Sequence, residues 1–451
     1  MSIEERDDLR SEMISLLEAE RQEELALRLE EAHPADIAAA LRELGVEDRA
    51  RVFRLLAQQQ AGAVLHEMDD QSLLELVRAL DEDELTEILG RMPPDNAAEV
   101  VGDLPEAEAE KLLDLMEEEG AENVQGLLKY GEKTAGRIMT PEFRAVYEET
   151  PVHHALDYLR KSVDAESVFY LYVVDDHNHL VGVVPLRRLI TADPSTPIRL
   201  ICQREVLSVT PETDQEEVAR LVTKHNLLAI PVVSRENTLL GVITVDDVID
   251  VIHEEATEDI QRLAGLGGDE TVFDPPRVVA PKRLVWLLIN LATAILAASV
   301  IGLFEESIRS LALLAVFMPI VASMGGIGTT QTSTVVIRGL ALGDLTLVHL
   351  WRVLRKELAL SLTTGAANGL VMMVIAYLWK GQFLLSLILG VALLLNMLVA
   401  AVVGVLIPVA LKIFGIDPAI ASSVIITTFT DVFGFFSFLG LATLLIRFLA
   451  P

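Results

Sequence analysis

Cysteine and positive charge are both scarce in this sequence of 451 residues. Cys202 is the only cysteine, which excludes internal disulfides and metal centres built on several cysteines, and suits a cytosolic soluble part. Asp and Glu number 67 against 36 Lys and Arg, and the formal net charge is −31. A nucleic-acid-binding protein needs a basic surface, so no nucleic-acid partner is expected.

Common enzyme motifs are also missing. No Walker-type phosphate loop, GxSxG turn or HExxH helix occurs, so the sequence predicts that the protein is not an enzyme. The nine histidines do not combine with cysteine at metal-ligand spacing. His177 and His179 lie in a predicted turn, where a solvated loop is favoured over a metal site. The N-terminus is charged and lacks the apolar core of a signal peptide.

The charge that is present divides the chain into two parts. Residues 1–281 carry a net charge of −35, whereas residues 282–451 carry +4 and are strongly apolar. The first part is predicted to be soluble and the second to lie in a membrane. Carboxylates are preferred ligands of hard divalent cations, so the acidic part is suited to collecting them. The alternative is that a Glu-rich surface only keeps the helices soluble.

Five apolar stretches predict five membrane-spanning helices. Their approximate bounds are 284–303, 311–333, 353–379, 383–411 and 418–447. An odd number of spans places the chain ends on opposite faces. If the soluble part is inside, seven basic residues lie at inner helix ends and three at outer ones, which favours a cytoplasmic soluble part in a cell (inner) membrane.

Asp431 is the one acid in the last apolar stretch. A carboxylate near the centre of a membrane helix costs about 2.5–3.5 kcal/mol on insertion scales, so it normally faces a partner or a water-filled cavity. The basic residues of the membrane part all lie near predicted helix ends. A permeating cation is therefore favoured over a structural ion pair as the partner of Asp431.

The soluble part contains two kinds of repeat. Residues 1–130 predict an all-α acidic domain, in which segments 33–44, 70–85 and 92–116 each begin a helix at Pro or Asp. Residues 137–252 then hold two consecutive units, each with an amphipathic helix, a strand, a polar turn, a Gly-containing strand and a closing helix. The second unit reads IPVV and LLGVITVDDV, and the pair resembles tandem CBS domains with an α/β fold.

An acidic helix and a linker, residues 253–281, connect the CBS-like pair to the membrane part, 282–451. The acidic helix is predicted to span residues 245–266 and so begins within the second CBS-like unit. One face of it carries Asp247, Asp250, Glu254 and Glu258, and these like charges repel unless cations lie beside them. The charges alone leave open a divalent-cation sensor and a solvated acidic helix, and it is mostly the family resemblance given next that favours the sensor. Glycines 265, 267 and 268 allow the chain to turn before the first membrane helix.

Together these segments resemble the MgtE family of magnesium channels over essentially the whole chain. The strongest matches are TDQEEVARLV, GVITVDDVIDVI, EEATEDI and the last helix with Thr427, Thr428, Asp431 and Gly434. The resemblance implies a homodimer in membrane lipid, Mg²⁺ as bound and transported ion, and Asp431 as the pore ligand. It implies cytosolic sensor carboxylates at Asp95, Glu99, Asp214, Glu216, Asp247, Asp250, Glu255, Glu258 and Asp259.

Two positions depart from the family pattern. The second membrane helix usually carries a GGNxGxQ-like segment, whereas this chain has Ile327 in place of the asparagine and reads GGIGTTQ. The segment is still expected to form a polar, glycine-rich break that lines the pore. Its candidate pore-lining residues are Gly325, Gly326, Thr329, Thr330 and Gln331, and Thr428 of the last helix is a further candidate. In the first CBS-like unit, Tyr170 and Arg187 are candidate ATP contacts, but Arg188 replaces a residue that is often acidic in relatives.

The sequence therefore predicts a multi-domain divalent-cation channel or transporter, gated by cytosolic Mg²⁺ binding to the acidic and CBS-like domains. Two alternatives stay open. One is a nucleotide-responsive CBS sensor that the membrane part only anchors, although an anchor does not need a polar membrane helix. The other is a related carrier coupled to Na⁺ or H⁺.

Overall fold

A computed structural model describes residues 3–161, 169–272 and 274–449. Residues 162–168 of the first CBS-like unit and residue 273 of the predicted linker lie outside the described residues. The chain divides into two compact units, Met1–His253 and Glu254–Pro451. The domain boundaries at 130, 137, 252 and 281 stay predictions.

The N-terminal part of the first unit is a stack of short helices, as the sequence predicts. The Asp69 carboxylate accepts a hydrogen bond from the backbone N–H of Ser72 at 3.1 Å, and Pro94 occupies the first turn of a later helix. Both are favourable helix starts. The helices are α1 Ile3–Glu18, α2 Gln22–Glu31, α3 Pro34–Arg42, α4 Val46–Phe53, α5 Gln58–His66, α6 Asp70–Val77, α7 Glu82–Leu89, α8 Pro94–Gly102, α9 Glu106–Leu115 and α10 Glu118–Leu128.

A buried arginine ties several of these helices together. Arg49 is only 4% exposed, and its guanidinium donates to the backbone carbonyls of Leu41 and Ser72 at 3.0 and 3.3 Å. It also forms an ion pair with Glu75 at 3.1 Å. The buried guanidinium therefore joins the end of α3, at Leu41, to the start of α6, at Ser72.

Two β-hairpins form the centre of the CBS-like pair. Strands β2 (Tyr170–Val174) and β3 (Leu180–Pro185) are antiparallel, and β1 (Ala145–Tyr147) is parallel to β2. Strands β4 (Ala229–Val233) and β5 (Leu239–Thr244) form the second, two-stranded sheet. Each hairpin has a bulge at the equivalent position and a turn whose asparagine, Asn178 or Asn237, has positive φ. The elements are β1 Ala145–Tyr147, α11 Val152–Lys161, β2 Tyr170–Val174, β3 Leu180–Pro185, α12 Leu186–Thr191, α13 Gln215–His225, β4 Ala229–Val233, β5 Leu239–Thr244 and α14 Val245–Leu263.

The acidic connecting segment is not a separate helix. The closing helix of the second CBS-like unit continues without interruption to Leu263, so α14 begins in the first compact unit and ends in the second. Its residues have no Pro or Gly before Gly265, which explains the continuity. The positive φ angles of Gly265 and Gly268 then let the chain turn, as the sequence predicts.

The second unit contains the five predicted membrane spans. They are α15 Pro276–Gly302, α17 Leu313–Ala341, α18 Leu350–Lys380, α19 Phe383–Ile413 and α20 Pro418–Leu449, with a short helix α16 Glu305–Ser310 between the first two. Helix α19 packs against α17, α18 and α20. Gly369 and Gly390 allow α18 and α19 to approach closely, since a Cβ added to Gly369 would lie 2.6 Å from the Gly390 carbonyl oxygen.

The predicted glycine-rich break in the second membrane helix is wrong. Helix α17 runs continuously through Gly325 and Thr334. The Thr329 and Thr330 hydroxyls donate to the carbonyl oxygens of Gly325 and Gly326, at 2.9 and 3.0 Å, so they need no break in the helix for their hydrogen bonds. The glycines serve close helix packing instead.

Candidate ion path and cation-binding sites

Asp431 lies near the middle of α20, in the membrane part. It is half-buried, and among the described residues no side chain forms an ion pair or a hydrogen bond with its carboxylate. Thr428 lies one turn earlier and is also half-buried, but its hydroxyl donates to the Val424 carbonyl at 2.6 Å. Asp431 therefore remains a charge in an apolar helix for which the described part of the chain supplies no basic partner.

An open groove of about 720 Å³ lies along one face of α17. Polar and small residues line most of it: Ser323, Gly326, Ile327, Thr330, Gln331, Thr334 and Val335. Gly326 also faces α20, because a Cβ added there would lie 3.8 Å from Thr427 Cγ2. Thr427 is one turn before Asp431, so the groove and the carboxylate belong to the same pair of helices.

The six predicted pore-lining residues lie in three kinds of surroundings. Gly326, Thr330 and Gln331 line the groove, whereas Gly325 and Thr329 are buried among the helices behind it. Thr428 lies on α20 and is half-buried. Consecutive helical residues point about 100° apart, so a contiguous motif on α17 must divide between the groove and the packed side.

A buried amide lies between the two helices that carry these residues. Asn396 of α19 is fully buried, and its Nδ2 donates to the Val321 carbonyl of α17 at 2.9 Å. Added Cβ atoms on Gly325 and Gly434 would lie 2.2 and 2.7 Å from Nδ2, so only glycine fits at either place. The Asn396 Oδ1 has no hydrogen-bond partner among the described residues. Asn396 thus holds α17 and α20 at a fixed separation beside the groove.

Two of the predicted sensor carboxylates interact in the first unit. Burial raises the pKa of Asp95 to about 6, and burial together with the charge of Asp95 raises the pKa of Asp247 to about 7. The Thr244 hydroxyl donates to Asp247 at 2.7 Å, whereas the buried Asp95 Oδ1 has no hydrogen-bond partner in the described part of the chain. Glu142 adds a further negative charge near Asp95. Such carboxylates are suited to a divalent cation, which would neutralise their repulsion.

The other predicted sensor residues of the first unit lie in different surroundings. Glu99 pairs with His66, whose Nδ1 is 3.4 Å from the Glu99 Oε2. Asp214 is the N-cap of α13 and accepts a hydrogen bond from the backbone N–H of Glu216 at 2.8 Å. Asp214, Glu216 and Asp250 are exposed. Their part in cation binding stays a prediction.

The end of α14 has a basic partner for its acids, just beyond the acidic stretch 245–259. Arg262 forms ion pairs with Glu258, one turn earlier, and with Asp417 at the start of α20. Glu258 is only 4% exposed. Burial and the charge of Asp417 raise the pKa of Asp259, and Glu255 is half-buried nearby on the same helix. Arg262 therefore links the connecting helix directly to the helix that carries Asp431.

The candidate nucleotide contacts lie at one end of the first hairpin. Tyr170 is opposite Pro185 in the β2–β3 register, and the exposed Arg187 follows two residues later. The Tyr170 hydroxyl accepts a 3.5 Å hydrogen bond from the backbone N–H of Leu228. Arg188 donates to the Ile201 carbonyl at 3.0 Å, so it serves the fold of this unit.

Sequence reasoning missed several residues of these sites. Arg262 and Asp417 are 155 positions apart, and only the packing of α14 on α20 joins them. Asn396 is a single amide in a long apolar stretch, which could have been noticed as an unusual polar residue in a membrane helix. The same signal applies to Glu357 of α18, which is 4% exposed and accepts a 3.3 Å hydrogen bond from Thr332.

Comparisons with known proteins agree with this architecture. Family models match residues 32–133 (MgtE intracellular N domain), 135–195 and 198–254 (CBS domain) and 318–441 (divalent cation transporter). The chain is 38% identical over 327 residues to "Magnesium transporter MgtE" of Thermus thermophilus, covering 72% of each chain. It is 38% identical over 326 residues to the protein of that name from Enterococcus faecalis, again covering 72% of each.

Two solved structures resemble the soluble part. One, described as the soluble part of a magnesium transporter, has a TM-score of 0.52 at 31% identity and covers 56% of this chain and 99% of that one. The other, the cytosolic domain of the Mg²⁺ channel MgtE in complex with ATP, has a TM-score of 0.51 at 39% identity and covers 53% and 99%.

The fold and the five spans define a multi-pass membrane transporter whose N-terminal and CBS domains are cytoplasmic. The chain belongs to the MgtE family of divalent cation transporters. The predicted fold class, family and membrane location are thereby confirmed.

Proposed function

We propose that this protein is a homodimeric Mg²⁺ channel or transporter in which Asp431 contacts the permeating ion and cytosolic Mg²⁺ closes the path. The observation that carries the proposal is the Asp431 carboxylate, which has no basic partner among the described residues and lies one turn after Thr427, the residue that approaches Gly326 of the α17 groove. The curated relatives named above are magnesium transporters, which supports Mg²⁺ as the ion. The protein is expected not to be an enzyme.

One carboxylate from each subunit is suited to a hydrated magnesium ion. Mg²⁺ gives up its water reluctantly and is usually held through one or two carboxylates and several waters. Two Asp431 side chains near a dimer axis repel each other until a divalent cation lies between them. The path therefore favours divalent over monovalent cations without a complete cage of protein ligands.

The exposed groove of α17 supports a second copy of the chain as the other wall of the path. Gln331 and Thr334 are exposed on a membrane helix, where lipid offers no hydrogen bonds to their polar groups. A test replaces Cys202 by Ser and then Thr334 by Cys. Disulfide-linked dimers should form in membranes, whereas Leu378→Cys on the exposed face of α18 serves as the control.

We propose Asp95 and Asp247 as the principal cytosolic sensor site, where half-buried carboxylates repel each other. Cation binding removes this repulsion and favours the compact state of the first unit. Because α14 carries Asp247 near its start and Glu258 near its end, movement of this helix can reach α20 through Arg262 and Asp417. Asp250, Glu255, Glu258 and Asp259 are further candidates on the same helix, and Glu99, Asp214 and Glu216 on other elements of the first unit.

ATP is proposed as a second, regulatory ligand. One similar structure is described as a complex with ATP, and this chain keeps Tyr170 and Arg187 at one end of its first hairpin. Titration of the full-length protein with ATP should show binding that Arg187→Ala weakens. Binding that this change leaves unaltered would place the nucleotide elsewhere.

A flux assay tests the proposed function as a whole. Proteoliposomes are supplied separately with Mg²⁺, Mn²⁺, Co²⁺ and Ca²⁺, each with and without Na⁺ and pH gradients. A channel should pass Mg²⁺ down its own gradient without either coupling gradient, whereas a coupled carrier should require one of them. The absence of flux under all conditions would support a nucleotide-responsive sensor that the membrane part only anchors.

A further inference from the structure

The turn between β2 and β3 brings together an acid and two histidines. One ligand atom from each of Asp175, His177 and His179 lies within 4.8 Å of the others. Among the described residues no other group of three acidic, histidine or cysteine side chains meets this spacing. The two imidazole rings are stacked, with centroids 5.8 Å apart and an interplanar angle of 20°, so both project to the same side of the turn.

The backbone of the turn fixes the acid in place. Asp175 Oδ1 accepts hydrogen bonds from the backbone N–H groups of His177 and His179, at 2.8 and 2.9 Å. The positive φ of Asn178 allows the chain to reverse between them. The other carboxylate oxygen, Oδ2, lies 2.9 Å from His179 Nδ1. One oxygen therefore holds the turn, and the second is directed at a ring nitrogen.

Asp175 Oδ2 and His179 Nδ1 are joined by a hydrogen bond, and a metal ion bound to both atoms could replace its proton. Metal–nitrogen and metal–oxygen bonds of about 2.0–2.2 Å bring neighbouring ligand atoms to roughly 3 Å from each other. The Oδ2–Nδ1 distance already has this value, and a ring nitrogen of His177 lies within 4.8 Å of the ligand atoms of the other two residues.

The second CBS-like unit contains a matched turn without histidines. Ser234, Glu236, Asn237 and Thr238 occupy the positions of Asp175, His177, Asn178 and His179. Ser234 Oγ accepts hydrogen bonds from the backbone N–H groups of Glu236 and Thr238 at 3.2 and 3.3 Å, and Asn237 has positive φ. The turn therefore forms without either histidine, so the fold alone does not account for His177 and His179.

We propose that Asp175, His177 and His179 form a binding site for a transition-metal ion of the Zn²⁺ class on the first CBS domain. Imidazole nitrogens suit Zn²⁺, Co²⁺, Ni²⁺ and Cu²⁺, whereas Mg²⁺ prefers oxygen ligands and its own water. The site differs in chemistry from the carboxylate sites assigned to Mg²⁺, and it does not depend on the proposed function. The remaining coordination positions are open to water.

The test uses Co²⁺ as a spectroscopic probe for Zn²⁺ in the full-length protein in detergent. Excess Mg²⁺ first fills the oxygen sites. The wild-type protein should then bind one Co²⁺ per chain, and Zn²⁺ but not further Mg²⁺ should displace it. Binding should weaken as the pH falls, because the imidazoles must be deprotonated to bind.

Exchange of residues between the two turns provides matched controls. Replacing His177→Glu and His179→Thr gives the first turn the residues of the second, and should weaken Co²⁺ binding by at least about 10-fold. Replacing Ser234→Asp, Glu236→His and Thr238→His should create a second site and raise the stoichiometry to two per chain. Co²⁺ binding that the first exchange leaves unchanged, or no binding in excess Mg²⁺, would overturn the proposal.

Discussion

The two ends of α14 contain acidic clusters with opposite electrostatic design. Near its start, Asp247 has Asp95 and Asp246 as charged neighbours, and its pKa is raised to about 7. Near its end, Glu258 is more deeply buried than Asp247 but forms an ion pair with Arg262, which also pairs with Asp417. The first cluster needs an external cation to relieve its repulsion, whereas the second already contains a positive charge, the guanidinium of Arg262. Burial of an acid alone therefore does not identify a cation sensor.

The largest effect is expected at neither end of α14 but at Asp431, where no described residue supplies a compensating base. Replacing Asp431 by Ala should abolish selective divalent flux in proteoliposomes, because the path loses its only charged ligand near mid-membrane. The purified variant should still be a dimer by size-exclusion chromatography. Asp344→Ala, in the loop between α17 and α18, is the control and should retain flux. Wild-type selectivity in Asp431→Ala would refute the assignment.

The second prediction converts the compensated cluster into an uncompensated one. Arg262→Gln leaves Glu258 buried without its base, which should lower the free energy of unfolding by about 3 kcal/mol. Added Mg²⁺ should then restore more stability to the variant than to the wild-type protein, measured as a shift in Tm. Arg220→Gln, at an exposed pair with Glu217, is the control and should change little. Equal Mg²⁺ responses in Arg262→Gln and wild type would contradict the comparison.

The third prediction concerns pH at the uncompensated cluster. Because the pKa values of Asp95 and Asp247 are raised to about 6 and 7, the folded protein binds more protons than the unfolded chain between about pH 4 and 7. Their contribution to stability therefore falls as the pH rises through this window, and Mg²⁺ should compensate most at higher pH.

Thermal unfolding of the full-length protein at about pH 8 and pH 5 tests this. Saturating Mg²⁺, at roughly 100 times its Kd, should stabilise the wild-type protein by about 2.7 kcal/mol at the higher pH and by much less at the lower one. The Asp95→Asn, Asp247→Asn double variant should lose most of this dependence on pH. A Mg²⁺ effect that is the same at both pH values would place the site elsewhere.

The smallest effect is expected behind the groove, where packing rather than charge fixes the helices. Gly434→Ala would place a Cβ 2.7 Å from Asn396 Nδ2, and should lower the free energy of unfolding by about 1–3 kcal/mol. Gly440→Ala on the same helix is the control, because its Cβ would lie 3.9 Å from the nearest atom, Phe304 Cζ. Equal stabilities of the two variants would show that Asn396 does not set the helix separation.

These sites show how far sequence reasoning reaches. The five spans, the CBS-like pair and Asp431 could all be predicted, because hydropathy, repeated local patterns and one isolated charge are visible along the chain. The pairing of Arg262 with Asp417 could not, since it depends on the packing of two helices. The sequence predicts a helix break at the glycines of α17, which is wrong, because it does not show that Asn396 packs against Gly325.

Patch recording with Mg²⁺ varied on the cytosolic face tests the central claim most directly. In the wild-type protein, raising cytosolic Mg²⁺ should progressively close the current. The Asp95→Asn, Asp247→Asn double variant loses the repulsion but also loses the carboxylate ligands, so raising cytosolic Mg²⁺ should no longer change its current. Closure of the double variant at the same Mg²⁺ concentration as the wild-type protein would contradict the claim that this pair of carboxylates senses the ion.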